Sequence, residues 1–418
     1  MKLIERTAYL DELKDLLLTP DIKVITGVRR SGKSKLMDAL AVWLQANDPQ
    51  ANIIHVNFNL TDFENLLEYH ALEAYVEDHY LEEKNNYLMV DEVQMCPSFE
   101  KAINSLHAKE KYDIYVTGSN AFLQSSDLAT LFVGRTYEVH IYPFSFREYL
   151  SYFPSENLSG SLSRYIIEGG LAGSYLYRKE KQKYHYINSE VLNALIVRDI
   201  IKKYRFRNEP LLHELIDFLM DNIGNVTSVR TITDTLSSNK TKVDHKTVGK
   251  YMDALCKAFA FYRIRRYDIK GKRYLRSEDK YYLVDQSFRF ARLGARNMDY
   301  GRVLENIVAV ELLRRGYEVY VGVLYKKEID FVAMRQGEKL YIQVANDITD
   351  PKTFERETTP LLSIKDAYPK LLIARTWQPE YQYEGIRIID AADWLAHPVP
   401  QNRILLNLGN GKRKVKRL

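Results

Sequence analysis

The stretch that decides the fold of this chain is VITGVRRSGKSKLM, residues 24–37. Its first residues predict a short apolar strand, and Leu36, Leu40 and Leu44 then recur at the spacing of an amphipathic helix. Between strand and helix, residues 27–34 fit the pattern G-x-x-x-x-G-K-[ST] at every position. This order predicts a phosphate-binding loop, because the backbone N–H groups of such a turn and the N-terminal end of the helix attract an anion.

The pattern gives the loop residues chemical roles. Lys33 is expected to reach the β- and γ-phosphates of ATP, and the Ser34 hydroxyl is expected to ligate Mg²⁺. The residues predicted to bind the nucleotide are Gly27, Val28, Arg29, Arg30, Ser31, Gly32, Lys33, Ser34 and Lys35. The sequence leaves open whether Arg29 and Arg30 contact phosphate, DNA or a neighbouring subunit.

A second strand pattern, YLMVDEVQ (residues 87–94), ends in two adjacent acids. Asp91 is predicted to hold the Mg²⁺ shell, and Glu92 is predicted to orient and deprotonate the attacking water. Kinases and simple nucleotide binders usually lack this adjacent glutamate. The pair therefore favours hydrolysis of ATP over binding alone.

Two further catalytic candidates follow in the chain. The strand pattern IYVTGSN (residues 114–120) ends in Ser119 and Asn120, and either side chain could sense the γ-phosphate or position the water. Arg135 follows Gly134 just before another strand pattern. It is predicted to stabilise transition-state charge, either in cis or from a neighbouring subunit.

Short apolar runs alternate with helical patterns from about residue 20 to residue 145. The runs are IKVIT, IIHVN, YLMVDE, IYVTGS and YEVHIY. Strands that are buried on both faces of a parallel sheet read as continuous apolar runs, and their alternation with helices predicts βαβ units. We therefore predict an α/β fold with a parallel sheet of the P-loop NTPase type.

Composition sets the broad class. The chain has 418 residues, of which 46% are hydrophobic and 28% charged, as expected of a globular protein with several domains. No apolar run reaches the ~20 residues that span a bilayer, and the N-terminus does not read as a signal peptide. Cys96 and Cys256 are interpreted as reduced thiols, so we expect a cytoplasmic protein without a membrane contact.

Several of these motifs together resemble a known family. GVRRSGKS, the DE strand, TGSN, and GR followed by YPFSFREYL are similar to archaeal- and bacterial-type AAA ATPases that carry a C-terminal domain of unknown function. The resemblance continues through KYYLVDQSFRFARLG, GRVLENIVAVELLRRGYEVYVG and EIDFVAMRQGEKLYIQVAN. It implies a winged-helix middle and a restriction-endonuclease-like end. The predicted domains are an AAA-type ATPase domain (1–160), a helical connector or lid (161–210), a winged helix (211–285), a restriction-endonuclease-like domain (286–398) and a basic tail (399–418).

The middle of the chain is basic. Residues 198–276 carry 18 Lys and Arg residues against 9 Asp and Glu residues, although the whole chain has a net charge of only +5. A helix predicted from Asp244 to Phe259 places its lysines within about 40° of one another and its apolar residues opposite. A basic hairpin with Gly271 at its turn follows, which gives the order of a winged helix-turn-helix. The predicted nucleic-acid contacts are Lys246, Lys250, Lys257, Arg265, Lys272 and Arg273.

These cations favour contact with the phosphates of duplex DNA at low sequence specificity. The alternative is a winged helix that serves as a packing module with solvated lysines.

The resemblance also identifies the positions of a nuclease site in the C-terminal part. Glu305 and Asp330 occupy two of its four positions, but Gln343 stands where the metal-binding glutamate would be and Ala345 where the lysine would be. An amide is a poor metal ligand, and alanine has no proton to transfer. We therefore predict an inactive scaffold, with a nuclease that uses unusual ligands as the alternative.

The leading functional hypothesis is an ATPase that couples MgATP hydrolysis to the engagement of DNA or a protein partner. The first alternative is an ATP-gated switch or scaffold without significant turnover, and the second is a metal-dependent nuclease. A homo-oligomer is considered because an arginine acting in trans requires a neighbouring subunit.

Overall fold

The computed structural model describes residues 4–118, 132, 134–238, 243–275, 278–295 and 298–397. Ser119 and Asn120, and the predicted basic tail of residues 399–418, lie outside the described residues. No helix within the described ranges is long and apolar enough to cross a bilayer. Cys96 and Cys256 are both free thiols.

The described N-terminal part contains a parallel sheet of five strands in the order β2-β3-β4-β1-β5. The strands are β1 (Ile22–Thr26), β2 (Ala51–Asn57), β3 (Asn85–Asp91), β4 (Asp113–Thr117) and β5 (Thr136–His140). Each coincides with one of the five apolar runs, so the predicted parallel sheet is confirmed.

Helices cover both faces of this sheet. They are α1 (Thr7–Asp15), α2 (Lys33–Asn47), α3 (Tyr69–Asp78) and α4 (Phe99–Ala108), with 3₁₀ turns at Thr61–Leu66 and Val93–Met95. Ile22 and Val24 of β1 pack into the core that includes residues of α3 and α4, whereas Ile25 packs into the core that includes residues of α1 and α2. Alternate residues of a strand point to opposite faces, which explains why the strand is apolar throughout.

A helical connector follows the sheet. Its elements are α5 (Phe146–Tyr152), α6 (Leu158–Glu168), a 3₁₀ turn (Ala172–Leu176), α7 (Glu180–His185), π-helical turns at Tyr186–Leu192 and Leu195–Ile201, and α8 (Lys202–Tyr204). The chain turns sharply at Gly169 and Gly170 after α6. The Gly170 amide donates to Asp285 Oδ2 at 2.6 Å, and a Cβ on Gly170 would lie 2.2 Å from the Phe144 carbonyl oxygen. This close approach requires glycine.

The basic middle segment folds as helix, strand, two helices and two strands. The elements are α9 (Glu209–Asp221), β6 (Val226–Thr227), α10 (Val229–Ser238), α11 (His245–Lys257), β7 (Phe261–Ile264) and β10 (Asp279–Leu283). The three strands form an antiparallel sheet in the order β6-β10-β7. Val248, Met252 and Leu255 of α11 are buried, whereas its lysines are exposed. The predicted amphipathic helix is confirmed.

The predicted basic hairpin is only partly right. Gly271 lies in its turn, between β8 (Arg266–Asp268) and β9 (Arg273–Tyr274), as predicted. However, β8 pairs in parallel with a strand of the C-terminal domain, so β8 and β9 form the edge of a second sheet. The physical reason is that backbone hydrogen bonds to this sheet and the burial of Tyr267 and Ile269 hold the hairpin there. It does not project as a free wing.

The C-terminal domain is built on a mixed sheet of eight strands in the order β15-β16-β14-β13-β12-β11-β8-β9. Its own strands are β11 (Glu318–Leu324), β12 (Lys327–Arg335), β13 (Glu338–Ala345), β14 (Lys370–Ala374), β15 (Tyr381–Tyr383) and β16 (Ile386–Asp390). Its helices are α12 (Ser287–Leu293), α13 (Tyr300–Arg314), α14 (Pro351–Leu362) and α15 (Ala391–Ala396).

The parts of the chain share buried contacts. One apolar core contains residues from the connector, the middle segment and the C-terminal domain. Arg314 of α13 reaches the N-terminal sheet, where its Nη2 donates to the Pro143 carbonyl at 2.9 Å and its guanidinium lies 5.5 Å from the centre of the Tyr142 ring. Such contacts join α13 to the segment that follows β5.

Candidate functional site

The predicted loop leaves the carboxyl end of β1 and enters α2. Gly27, Arg30 and Gly32 have φ angles of 145°, 65° and 100°. A Cβ on Gly27 would lie 2.2 Å from the Ile141 carbonyl oxygen, so this position requires glycine. The backbone therefore curls in the manner that the glycine pattern predicts.

Lys33 lies at the start of α2 and is buried. Its ammonium donates to the carbonyls of Gly27 at 3.1 Å and Val28 at 3.4 Å. Burial lowers the pKa of Lys33, and the nearby carboxylates of Glu92, Asp199 and Asp91 oppose that shift. A cation held between a glycine loop and several carboxylates is suited to contact phosphates that arrive with their metal ion.

Asp199 is a member of this group that sequence reasoning missed. It is buried, and it lies in the π-helical turn Leu195–Ile201 of the connector. Its neighbours Ile196 and Ile200 share an apolar core with Val28 of the loop. The sequence gives no local signal for this approach, because about 170 residues separate the two segments.

The two acids at the end of β3 have different environments. Asp91 is buried; its Oδ1 accepts a hydrogen bond from the Thr117 hydroxyl, and its Oδ2 has no hydrogen-bond partner among the described residues. Glu92 has a left-handed backbone with φ of 56°. Its amide donates to Thr117 Oγ1 at 3.1 Å, and its Oε2 accepts from Gln94 Nε2 at 2.6 Å. The open oxygen of Asp91 fits a ligand for Mg²⁺, since a buried carboxylate oxygen normally has a partner.

Thr117 is a second residue that sequence reasoning missed. It is the last residue of β4, and it is buried. Its hydroxyl bridges the carboxylate of Asp91 and the amide of Glu92, and so it links the predicted metal ligand to the predicted catalytic base. The candidates named from the sequence, Ser119 and Asn120, come two and three residues later but lie outside the described residues.

Arg6 braces the loop from outside. Its guanidinium is buried and donates to the Ser31 carbonyl at 2.9 Å, to the Tyr142 carbonyl at 2.8 Å and to Glu148 Oε1 at 2.7 Å. Glu148 also accepts from the Ser145 amide at 2.8 Å in a capping box. Although burial acts to raise it, the pKa of Glu148 is lowered, chiefly by the Arg6 charge. The brace joins the segment before α1 to the loop and to α5.

The remaining loop residues differ in exposure. Ser34, the predicted Mg²⁺ ligand, is partly exposed near the N-terminal end of α2. Lys35 is exposed, and its ammonium pairs with Asp38 at 2.9 Å. Arg30 is exposed, whereas Arg29 is partly buried. The roles predicted for these residues stay predictions.

Family models and one curated protein match most of this chain. Residues 19–150 match the family described as "AAA domain", and residues 159–299 match a domain of unknown function. An uncharacterized protein of Haemophilus influenzae is 36% identical over 397 residues, which cover 94% of this chain and 98% of that protein. The chain belongs to the family of this Haemophilus protein.

One further curated protein and one solved structure are also similar to this chain. An uncharacterized protein of Methanocaldococcus jannaschii is 26% identical over 364 residues, which cover 82% of this chain and 78% of that protein. A solved structure, the Walker-type ATPase of Pyrococcus abyssi, matches with 16% identity and a TM-score of 0.45 over 69% of this chain and 95% of that chain. We refer to residues 19–150 as the AAA domain.

Arg135 lies at the far end of the AAA domain from the loop. It is exposed, and its carbonyl accepts from the Ile22 amide at 2.9 Å, at the amino end of β1. The loop follows the carboxyl end of β1, about 13 Å away at ~3.3 Å per residue. This position does not support the role in cis, because the side chain starts at the opposite edge of the sheet. A role in trans stays a prediction.

His140 ends β5 next to the loop. Its Nδ1 lies 2.9 Å from Thr26 Oγ1, and its Nε2 lies 2.9 Å from the Tyr262 hydroxyl. Burial lowers the pKa of His140 to about 3, and the Lys33 charge acts in the same direction. The imidazole is therefore neutral at physiological pH, and this group was not singled out from the sequence.

The pKa of His140 predicts a loss of stability in mild acid. The folded protein keeps His140 neutral, whereas the unfolded chain takes up a proton below about pH 6.5, so the free energy of unfolding falls as the pH drops from 6.5 towards 3. Between pH 7 and pH 5 the loss assigned to His140 is about 2 kcal/mol. Chemical denaturation of the wild type and His140→Gln should show a smaller loss in the variant. His70→Gln, at an exposed histidine, should match the wild type; equal slopes for all three proteins would contradict the assignment.

The six predicted nucleic-acid contacts fall into two groups. Lys246, Lys250 and Lys257 project from one side of α11 and are exposed. Arg265, Lys272 and Arg273 are exposed on the edge of the eight-stranded sheet, where Arg273 pairs with Asp268 at 3.4 Å. The end of α11 and Arg265 meet around one cavity of about 410 Å³. The structure thus places the cations of the first group in a row that runs towards the second.

The nuclease-like positions do come together in the C-terminal domain, with a lysine that the sequence did not indicate. Lys280 of β10 is buried and pairs with Glu305 at 2.9 Å and Glu328 at 2.8 Å. Burial raises the pKa of Asp330 well above its usual range, and the charge of Glu305 raises it further. Among the described residues, no group of acids, histidines and cysteines has the geometry of a metal site.

Gln343 of β13 is satisfied by hydrogen bonds. Its Oε1 accepts from the Asp330 amide at 2.7 Å, and its Nε2 donates to Glu357 Oε2 at 2.9 Å. Ala345 is buried. The amide thus serves as a link between strand and helix. We refer to Lys280, Glu305, Glu328, Asp330 and Gln343 as the acid cluster.

Proposed function

We propose that this protein binds MgATP at the phosphate loop and hydrolyses it. The observation that carries the proposal is the meeting of Lys33, Asp91 and Glu92 at the carboxyl edge of the parallel sheet. The buried Oδ2 of Asp91, which has no partner among the described residues, supports a cation at this point.

Each residue then has a task. Ser34 and Asp91 would hold Mg²⁺, which would neutralise charge on the phosphates, and Lys33 would contact β- and γ-phosphate oxygens in place of its two carbonyl partners. Glu92 takes the proton of the attacking water, and Thr117 fixes its backbone. We keep Ser119 and Asn120 as candidates for contact with the γ-phosphate and Arg135 as a residue supplied to a neighbouring subunit.

Phosphate release by the purified full chain tests this proposal. With MgATP, the wild type should release phosphate continuously, and release should change when duplex DNA is added. Tight ATP binding without release, in the presence or absence of DNA, would instead establish the ATP-gated switch. Sedimentation with and without ATP would show whether the subunits assemble as a role of Arg135 in trans requires.

We further propose that residues 211–285 form a winged helix that engages duplex DNA. The order of helices and strands is that of a winged helix-turn-helix, and α11, in the recognition position, carries an exposed row of lysines. From Lys246 to Lys257 this row is about 16 Å long, enough to follow several phosphates. Lysines contact phosphates as point charges, so we expect little sequence preference.

Charge reversal tests the lysine row. The triple variant Lys246→Glu, Lys250→Glu, Lys257→Glu should weaken duplex binding at least about tenfold and reduce the slope of log K against log salt by about 3, since each lost phosphate contact contributes about one. Fluorescence anisotropy over a range of salt concentrations measures both. The control is Lys84→Glu, Lys352→Glu, Lys365→Glu, which makes the same charge change at exposed lysines elsewhere. Equal losses in both variants would contradict the proposal.

The C-terminal domain is proposed to be an inactive relative of the restriction-endonuclease fold. Its helix α13, antiparallel strands β11 to β13, helix α14 and parallel strand β14 follow the order of that fold. In the acid cluster, Lys280 compensates the carboxylates, and Gln343 and Ala345 stand at two of the four catalytic positions. We assign this domain to partner contact or support.

A further inference from the structure

A directional chain of hydrogen bonds connects the base of the phosphate loop to the proposed winged helix. Thr26, the residue before Gly27, donates from its hydroxyl to Glu138 Oε1 at 2.6 Å. The same hydroxyl oxygen lies 2.9 Å from His140 Nδ1, and His140 Nε2 lies 2.9 Å from the hydroxyl of Tyr262 in β7. We call these four residues the relay.

The proton positions in the relay follow from its end. The Thr26 hydroxyl donates its one hydrogen to Glu138, so its oxygen accepts from His140 Nδ1–H. Nε2 of the neutral imidazole is then an acceptor, and the Tyr262 hydroxyl must donate to it. Each hydrogen bond of the relay therefore has an assigned donor and acceptor. Breaking one of these bonds would leave a buried donor or acceptor unsatisfied.

Packing restricts the relay to this arrangement. The His140 ring is flanked by Phe259 at 4.2 Å and Tyr142 at 4.6 Å between ring centres. Phe259 has a left-handed backbone with φ of 53° at the end of α11. Tyr262, at the opposite end of the relay from Glu138, borders the cavity that Lys257 and Arg265 also line. The relay thus joins the loop to the end of the lysine row.

We propose that Tyr262 is a positioning residue that couples nucleotide occupancy of the phosphate loop to DNA affinity of the lysine row; this inference rests on the proposed function. When Lys33 leaves the carbonyls of Gly27 and Val28 for phosphate oxygens, the backbone next to Thr26 loses two contacts. A shift of Thr26 then either moves Tyr262 with it or leaves a buried polar group unpaired, which is unfavourable.

Tyr262→Phe tests the inference because it keeps the ring and removes the hydroxyl. In the wild type, saturating MgATP should change the dissociation constant for duplex DNA at least about fivefold, in the range of ordinary allosteric coupling. In Tyr262→Phe, the affinities for ATP alone and for DNA alone should stay within about twofold of the wild type, while the effect of MgATP on DNA binding falls to less than about twofold. Tyr251→Phe removes the hydroxyl of α11 that accepts from the Asn208 amide, and it should keep the wild-type coupling.

Hydrogen exchange over residues 259–264 provides a second readout that does not need DNA. MgATP should change the exchange of this segment in the wild type and in Tyr251→Phe, but not in Tyr262→Phe. Undiminished coupling or exchange changes in Tyr262→Phe overturn the inference and leave the proposed function intact. If the wild type binds ATP but not DNA, the DNA part of the proposed function fails, and the inference fails with it because there is no DNA affinity to couple. If the wild type does not bind ATP, both fail.

Discussion

Replacing Glu92 with glutamine is expected to lower kcat for ATP hydrolysis by about 10²–10⁴-fold, the usual contribution of a general base, while MgATP still binds. Glutamine has nearly the same shape but cannot accept the proton of the attacking water. The contacts that hold residue 92 in place, its amide to Thr117 and its side chain to Gln94, have counterparts in the variant. Measuring phosphate release and nucleotide affinity on the same preparation separates turnover from binding.

Two companion variants make this result specific. Lys33→Ala should weaken ATP binding itself, because it removes the cation that faces the phosphates. Glu82→Gln, at an exposed position between α3 and β3, should behave as the wild type in both assays. If Glu92→Gln kept kcat within tenfold of the wild type, Glu92 would not be the base. Loss of ATP binding in Glu92→Gln would assign the residue to the nucleotide pocket instead.

The sequence predicts the phosphate loop and the parallel sheet well, because both depend on local patterns. The glycine spacing forces the backbone at Gly27 and Gly32, and the apolar runs report burial on two faces of one sheet. Arg6 was missed for the opposite reason. Its partners Ser31 and Glu148 are 25 and 142 residues away, and a single arginine before a helix carries no signal of either contact.

The wrongly placed hairpin has a related cause. The alternating pattern around Tyr267 reports one buried face, but it is the same whichever sheet the strand joins. Pairing with β11, in register from Arg266 to Asp268, is decided by residues more than fifty positions later. Arg135 shows the same limit, since the sequence indicates correctly that it precedes a strand but does not indicate which edge of the sheet it faces.

The acid cluster leads to the largest expected effect on stability. Lys280→Met should lower the free energy of unfolding by about 3–5 kcal/mol, the usual result of removing one partner from a buried ion pair. The Lys280 and Glu305 side chains are only 4% and 11% exposed, so water solvates neither charge well. Tyr282 also donates a hydrogen bond to Glu305. Without the lysine, Glu305 would lie unpaired beside the buried Asp330. Denaturant unfolding of the full chain measures the loss.

The same substitution distinguishes a structural lysine from a catalytic one. If Lys280 acts as an internal cation, Lys280→Met combined with Glu305→Gln should recover part of the lost stability, because the second change removes the uncompensated charge. Lys339→Met, which affects a looser pair with Asp366 at 3.8 Å, should cost about 1 kcal/mol or less. Metal-dependent cleavage of DNA by the wild type that Lys280→Met abolishes without unfolding would instead support the nuclease, with Lys280 in place of the lysine that Ala345 lacks. Strong destabilisation without any cleavage would show that the lysine is a structural cation that holds this domain to the middle segment.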